Sequence, residues 1–584
     1  MQPSTSPAII YSLREYAIVT FIALFCYIIL SNAWVTEDAF ITFRTLENFV
    51  NGYGLTWNIT ERVQAFTHPL WLFVHVPIYY LTGEVYLTTI LISLLFDIAA
   101  FLLIIRLFPA SIGFIFAFLL VPLFLSKAFA EYATSGLENP LTFFCLALFC
   151  YLLIKKNSDS VKFMFLIGLV ANFSALNRLD TILFYLPTLI FLVFTHRHWK
   201  SWFALGLGFA PLAIWELFSL FYYGFLFPNT AYAKLSTGIS ARSYFQQGII
   251  YAIDLLKYDP FSTIVILVGI LFTIHTFYRN RIFNFNVLMG IGLILYCLYV
   301  LKVGGDFMSG RFWVTPFFLS VILIYWTLQP YDNKLGWINF FLGSLLALIF
   351  LIVFPAPPTK NLVINTTGIA QEKNAYVSYT GLLNYTRMET VNGNAQLHPW
   401  IKNGMELKTQ AQTSHSTIVI AARSIGMRGY YAGQQVILID HFALSDALLA
   451  RLPVFNKGNW RIGHFFRHLP VGYLHAHKTG SLSEMSPILA QYYAPLRLIT
   501  TAPLFDIQRL KTVIWFNLGY YDHFLRDYVD NFYFIEKDAE MNPQNPTVTS
   551  QERSQIYKKL GEVYQQRGYA DFSQKMYQKS LIGQ

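Results

Sequence analysis

The sequence predicts a polytopic α-helical membrane protein followed by a soluble C-terminal domain, and three observations carry that reading. Of 584 residues 55% are hydrophobic and 13% charged, with a mean hydropathy of +0.45, too little charge to cover a water-soluble fold of this size. Apolar stretches close to the roughly 20 residues that a bilayer core demands recur from Tyr16 to Phe354. From Ala356 onward Gly, Asn, His and charged residues become frequent, and no further stretch is long enough to span.

Taken in order, the apolar stretches give about eleven transmembrane helices, near residues 16–34, 86–107, 110–126, 139–154, 161–176, 180–195, 201–223, 261–278, 284–302, 312–328 and 335–354. The first has no small-residue cleavage site before the polar stretch that follows, so it is expected to remain as a spanning helix. "HPLWLFVHVPIYYLTG", residues 68–83, is shorter and is expected to form a juxtamembrane or re-entrant helix. "PAPP", residues 355–358, marks the boundary of the membrane part, 1–355. A domain over 356–545 and a helical tail over 546–584 follow. The tail resembles one tetratricopeptide repeat, and a lone repeat cannot bury its own face, so it is expected to cap the domain or dock a partner.

Short loops containing Arg106, Lys155, Lys156, Lys162, Arg197, Lys200, Arg279, Arg281 and Lys334 are the basic ones. The positive-inside rule places them in the cytoplasm and the alternate loops, with the C-terminal domain, outside it. The net charge of +10 is spread along the chain without a dense block, which argues for loop bias and against nucleic acid as a partner. All four cysteines, Cys26, Cys145, Cys150 and Cys297, lie in apolar runs, so neither a disulfide framework nor a zinc site is legible.

With that topology the outer loops collect the unusual residues. The first outer loop, 35–85, opens with "TEDAFITFR", which places Glu37 and Asp38 at the mouth of the first span, and also holds Arg44, Glu47, Glu61, Arg62 and His68. Glu131 and Glu138 follow in "AEYATSGLENP", Arg178 and Asp180 in "NRLD", Lys234 in "FLFPNTAYAK", and Asp306 and Arg311 in "GGDFMSGRF". Ionisable groups beside the hydrocarbon are costly and commonly line a cavity or a substrate path. Carboxylates and guanidinium groups gathered at one face suit glycosyl transfer from a polyprenyl-phosphate sugar. An aspartate takes the acceptor's hydroxyl proton while cations hold the phosphate as charge develops on the leaving oxygen. Simpler readings compete: Glu37 and Asp38 as an N-cap, Arg178 and Asp180 as an ion pair that packs two helices, and "GGDFMSGRF" as a turn. A transporter would show paired halves with matching broken helices, which are not legible here, and an anchor for an outer domain needs one span, not many.

In the C-terminal domain "STIVIAARSIGMRGYYAGQQVILIDHFALSDALLARLP" reads as strand, loop, strand, then a helix opened by Ser445 and Asp446, a mixed α/β pattern. "HFFRHLPVGYLHAHK" lacks the carboxylates and spacing of a metal site.

"TEDAFITFRTLENFVNGYGLTWNITERVQAFTHPLW", "ATSGLENPL", "NRLD", "YYGFLFPNTAYAK" and "VGGDFMSGRF" resemble, in this order, segments of the GT-C glycosyltransferases, in particular the terminal arabinofuranosyltransferases that use decaprenyl-phosphate arabinose. "DHFALSDALLARLP", "WRIGHFFRHLPVGY" and "RLITTAPLFDIQRLKTVIWFNLGYYD" extend the resemblance into the soluble domain, so that it covers roughly residues 35–530. The pilin arabinosyltransferases are also similar. The resemblance implies a GT-C fold in a bacterial inner membrane, with the site and the C-terminal domain extracytoplasmic. Asp38 would be catalytic with Glu37 beside it, and which carboxylate acts stays open. Arg311, Asp306, Lys234, Arg178, Asp180, Arg44 and His68 would serve the donor, and Glu138 the acceptor. The implied partners are membrane lipid, a polyprenyl-phosphate sugar donor, and a surface glycan or pilin acceptor. No cofactor is implied, and a divalent cation stays open. That a lipid phosphate carries the sugar also follows from topology, whereas arabinose over mannose rests on the resemblance alone.

Overall fold

The computed structural model describes residues 7–155, 160–332, 366–384, 397–455, 457–458, 460–536 and 550–582, with scattered positions between 338 and 348. Apart from those positions, the span expected near 335–354 lies outside the described residues, as do the boundary at 355–358 and Lys156 and Lys334 of the basic loops.

Among the described residues, four helices are long and apolar enough to cross a membrane: Tyr86–Ile105, Pro260–Arg279, Phe285–Val303 and Val314–Tyr331. The pair Trp199–Gly208 and Ala210–Tyr222, bent by 48°, makes a fifth if counted as one span. Shorter apolar helices are Glu15–Ser31, Ile112–Leu125, Asn139–Lys155, Val161–Asn177 and Leu179–Thr195. Every span expected before residue 330 coincides with one of these helices or with the bent pair. The chain is a polytopic helical membrane protein.

The chain divides into two compact units, each woven from three stretches. The first comprises Met1–Ala39, His68–Ile214 and Ser240–His398. Its helices begin where a polar side chain meets an apolar run. Ser160 Oγ accepts from Phe163 N at 3.0 Å, Asp259 Oδ1 from Ser262 N at 3.0 Å and Asn284 Oδ1 from Val287 N at 3.0 Å, each satisfying a donor that the first turn leaves orphaned. Small residues let backbones approach: a Cβ at Gly292 would lie 2.1 Å from the Phe184 carbonyl oxygen, so Phe285–Val303 and Ile182–Thr195 pack in near-backbone contact. Phe285–Val303 ends on Gly304 and Gly305, at φ +86° and +71°. A Cβ at Gly305 would also strike the Tyr251 ring at 2.3 Å, so this corner accepts only glycine.

One helix of this unit is absent from the expected spans. Ala241–Tyr258 buries Gly248, Tyr251, Asp254, Leu255 and Tyr258 at helical spacing, while Arg242, Gln246 and Lys257 are exposed. An amphipathic stretch of this kind produces no continuous apolar run. The segment 68–83 forms the helix Pro69–Thr82, 14 residues long.

The second unit comprises Phe40–Thr67, Trp215–Ile239 and Pro399–Gln584. Strands β1 (Ile418–Ala422) and β2 (Val436–Asp440) pair in parallel, with Ile418 opposite Val436 and Ala422 opposite Asp440. Parallel neighbours need a crossover, and the helix Gly426–Ala432 supplies it where the sequence reads as a loop. After β2 the expected helix shrinks to one 3-10 turn, Leu449–Arg451. Asp446 Oδ1 caps it, accepting from Leu449 N at 2.8 Å, but Pro453 follows at once and has no N–H to continue it. Trp57, from the first stretch, packs in one core with Ile41, Ala422, Val436 and Leu438. The terminal hairpin, Ser550–Gln566 and Ala570–Ile582, buries its inner face within this unit. Tyr564 stacks on Phe532 at 4.3 Å and donates its hydroxyl to Glu536 Oε1 at 2.9 Å.

Candidate functional site

The site assembles within the first unit, where the chain leaves the Pro7–Ser31 helix. Residues 34–36 are held extended on both sides. The Trp34 indole donates to the Glu131 carbonyl at 2.7 Å, and Trp34 forms an antiparallel bridge with Gly381. Val35 N donates to Thr380 O at 3.3 Å, and Thr380 Oγ1 donates back to Val35 O at 2.6 Å. Thr36 N donates to Ser135 O at 2.9 Å, and Thr36 Oγ1 to Glu372 Oε2 at 3.2 Å. Glu37 and Asp38 occupy the turn that follows, just before the helix Ala39–Val50. Glu37 is buried at 8% exposure. Asp38 is half-buried, and its charge reaches the Arg311 guanidinium.

Around that guanidinium lies an ion-pair network centred on Glu138. Arg311 Nη2 donates to Glu138 Oε1 at 3.3 Å and Arg178 Nη1 to the same oxygen at 3.4 Å, while His68 Nδ1 lies 3.6 Å from Oε2. Arg178 also binds Asp180 in bidentate fashion at 2.8 and 2.9 Å, and Asp180 Oδ2 accepts from Tyr296 OH at 3.2 Å. Arg311 Nη1 donates to Asp306 Oδ2 at 3.3 Å. The Phe312 ring lies 4.0 Å from the Arg178 guanidinium carbon, which fixes the plane of that fork.

Burial alone would raise the Glu138 pKa, but Arg311, His68 and Arg178 outweigh it and hold the carboxyl at about 2. Burial keeps His68 below its ordinary value against the opposing pull of Glu138, so its imidazole is neutral at neutral pH. Burial opposes the charge on Arg311, yet Glu138 and Asp306 carry its pKa above the ordinary value. Arg311 Nε is buried and has no hydrogen-bond partner among the described residues. An outward-directed anion therefore meets a charged donor that nothing else in the network consumes.

The loop bearing Asp306 and Arg311 is held by the same segment that holds Thr36. Met308 bridges Ala370 in parallel, Ser309 N donates to Ala370 O at 2.9 Å, and Ala370 N donates to Phe307 O at 2.7 Å. Residues 370–381 thus clamp both the Asp38 turn and the Arg311 loop. Sequence reasoning missed this segment. It carries no apolar period, and its partners lie 336 positions away in the case of Thr36 and Glu372. It also missed Tyr251 and Asp254, which hold the Arg311 loop through Met308 O at 2.8 Å and Ser309 Oγ at 2.5 Å.

Comparison with known proteins gives a sequence relationship. The chain is 26% identical over 518 residues, 74% of its length and 80% of the relative's, to a protein of Mycobacterium tuberculosis named terminal β-(1→2)-arabinofuranosyltransferase. The chain is a relative of the terminal arabinofuranosyltransferases. A protein of the same name from Corynebacterium glutamicum is 26% identical over 336 residues, spanning 50% of this chain and 47% of that relative. No protein-family profile matches the chain, and no solved structure matches it.

Of the residues that the resemblance to the arabinofuranosyltransferases assigns, Glu37, Asp38, His68, Glu138, Arg178, Asp180, Asp306 and Arg311 all fall in the first unit. Glu138, expected on the acceptor side, sits at the centre of the network with 2% exposure. Arg44 and Lys234 fall in the second unit. Arg44 is buried and donates to the carbonyls of Trp57, Gly429 and Val436 at 2.9, 2.6 and 2.8 Å, and burial brings its pKa down to about 10. Lys234 is exposed in the last turn of the helix Asn229–Leu235. Among the described residues no group of three or more His, Cys, Asp or Glu side chains is placed to hold a metal ion.

Proposed function

We propose that this chain is a membrane glycosyltransferase of GT-C type that moves a sugar, D-arabinofuranose, from a polyprenyl-phosphate donor to an acceptor hydroxyl on a surface glycan or pilin. The observation that carries the reading is one carboxylate beside one open guanidinium: half-buried Asp38, whose charge reaches Arg311, with Arg311 Nε unsatisfied. About eleven spans, with the basic loops cytoplasmic, put this site and the C-terminal unit outside the cytoplasm of a bacterial inner membrane. Soluble nucleotide sugars are made in the cytoplasm, so a lipid phosphate is the donor suited to that face.

In this mechanism Asp38 accepts the proton of the acceptor hydroxyl as its oxygen bonds to the anomeric carbon, and the bond from that carbon to the phosphate oxygen breaks. The leaving polyprenyl phosphate gathers negative charge. Arg311, with Arg178 behind it, stabilises that charge, and neutral His68 adds a hydrogen-bond donor. Glu138, Asp306 and Asp180 orient the two guanidinium groups, so little reorganisation accompanies the reaction. Glu37, more buried than Asp38, supports the turn.

Purified protein incubated separately with synthetic polyprenyl-phosphate arabinose and polyprenyl-phosphate mannose tests the reading. Polyprenyl phosphate release from the arabinose donor, dependent on an acceptor, is expected. Release from the mannose donor alone would reject the sugar while sparing the transferase, and release from neither would reject both.

A further inference from the structure

The helix Ile507–Asn517 in the second unit has two unlike faces. Arg509, Thr512, Val513 and Phe516 point inward at i, i+3, i+4 and i+7, the stripe of a helix lying on a core. The other face is apolar as well. Ile507 is 70% exposed, Ile514 60% and Trp515 52%, and the flanking Phe505 and Leu518 are 81% and 71% exposed. Polar residues on this face are few, with Lys511 between Ile507 and Ile514. Side chains of this size gathered on one exposed surface mark a contact with something other than water.

What lies beside the patch identifies the occupant. Arg509 Nη2 donates to the carbonyls of Phe221 and Tyr222 at 2.8 and 2.9 Å, and Asn517 Nδ2 donates to Gly224 O at 2.8 Å. The rings of Phe221 and Phe505 meet at 5.3 Å. The helix is therefore fastened to the C-terminal end of Ala210–Tyr222, the second half of the bent pair with the length and hydropathy of a span. On that half Leu217 is 67% exposed, so lipid-facing apolar surface leads up to the patch. A membrane-spanning helix ends at the headgroup level, where Trp and Tyr rings concentrate and Lys stems lie along apolar surface with their charge among phosphates. Trp515, Tyr520, 5.7 Å away from it, and Lys511 match that composition.

We propose that the outward face of Ile507–Asn517, with Phe505 and Leu518, is a bilayer-docking surface that enters the interface at which the Ala210–Tyr222 helix ends. It lies flat in the headgroup region as a monotopic element. The second unit is thereby held at the membrane surface by two elements that are far apart in sequence.

Nitroxide labels at Ile514→Cys and, separately, at Leu518→Cys test this in the full chain reconstituted in lipid nanodiscs, with the four native cysteines replaced. Gln410→Cys, on an exposed helix position of the same unit, is the control. Docking predicts that both patch labels are relaxed by oxygen and shielded from a water-soluble nickel complex, the reverse of the control. Relaxation by nickel equal to that at Gln410 would overturn the proposal. So would shielding from both reagents, which would mean that protein, from a second copy or a partner, covers the face.

Discussion

Arg311 Nη2 and Arg178 Nη1 donate to one and the same oxygen, Glu138 Oε1, at 3.3 and 3.4 Å. Two guanidinium groups that would repel each other are joined by a single buried anion, so the geometry of both depends on its ionisation. Glu138 is held at about 2, below its ordinary 4.5. Its contribution to stability is accordingly complete above pH about 4.5 and is lost as the pH falls towards about 2. Glu138→Gln leaves the two cations facing each other without compensation, an expected cost of about 3–5 kcal/mol. Thermal inactivation in detergent, followed from neutral to acid pH, should show a lower transition temperature for the variant at neutral pH and a flatter acid limb. An unchanged transition would contradict the hub role.

Asp38→Asn keeps size and hydrogen bonding but removes the proton acceptor. Turnover should fall roughly 100-fold or more, with donor binding and protein level retained. Glu37→Gln should have a smaller effect, since Glu37 is buried and Asp38 is not. Measured on release of polyprenyl phosphate, the opposite ranking would transfer the base role to Glu37.

Arg311→Ala should weaken donor binding or slow departure of the phosphate while leaving the acceptor KM close to wild type. Selective loss of acceptor affinity would move Arg311 out of the phosphate role.

Thr36→Val deletes the hydroxyl that donates to Glu372 Oε2 at 3.2 Å. One hydrogen bond of about 1 kcal/mol net corresponds to a several-fold effect. It should appear as a lower kcat with donor KM preserved, because the bond positions the Asp38 turn without touching substrate. A change confined to KM would contradict that.

Arg44→Lys replaces a fork with three carbonyl partners by a single ammonium. A loss of about 2–4 kcal/mol is expected from charge-assisted bonds of this kind, read as a lower melting temperature in detergent, with donor affinity of the surviving protein unchanged. Loss of donor affinity at unchanged melting temperature would return Arg44 to the donor site.

The sequence announces Glu37, Asp38, Glu138, Arg178, Asp306 and Arg311 because each is an ionisable group beside an apolar run, where its cost demands a reason. It does not announce their supports. Thr380 and Ala370 act through backbone groups, which leave no residue signature. Tyr251 and Asp254 sit on an amphipathic helix whose alternating texture hides it from a search for spans. Arg44 is legible as an unusual charge, but its partners are main-chain carbonyls, so only coordinates distinguish a tie within a core from a substrate ligand. The crossover helix Gly426–Ala432 reads as a loop for a related reason: two of its seven residues are Gly, and helix propensity yields to the requirement of parallel strand pairing.

The interleaving of the two units has a consequence for biosynthesis. Residues 40–67 leave the ribosome early, yet Trp57 and Arg44 find their partners Val436 and Leu438, Gly429 and Val436 only after several hundred further residues have been made. Until then Trp57 and the Arg44 guanidinium have no native socket, and contacts of such long sequence separation form slowly. Nascent chains stalled before residue 399 should therefore display protease-sensitive 40–67 segments that become protected only on completion. Expressing 399–584 by itself should yield a fragment with two vacant apolar sockets, one for Trp57 and one for Phe225, prone to aggregate unless the missing strips are supplied in trans.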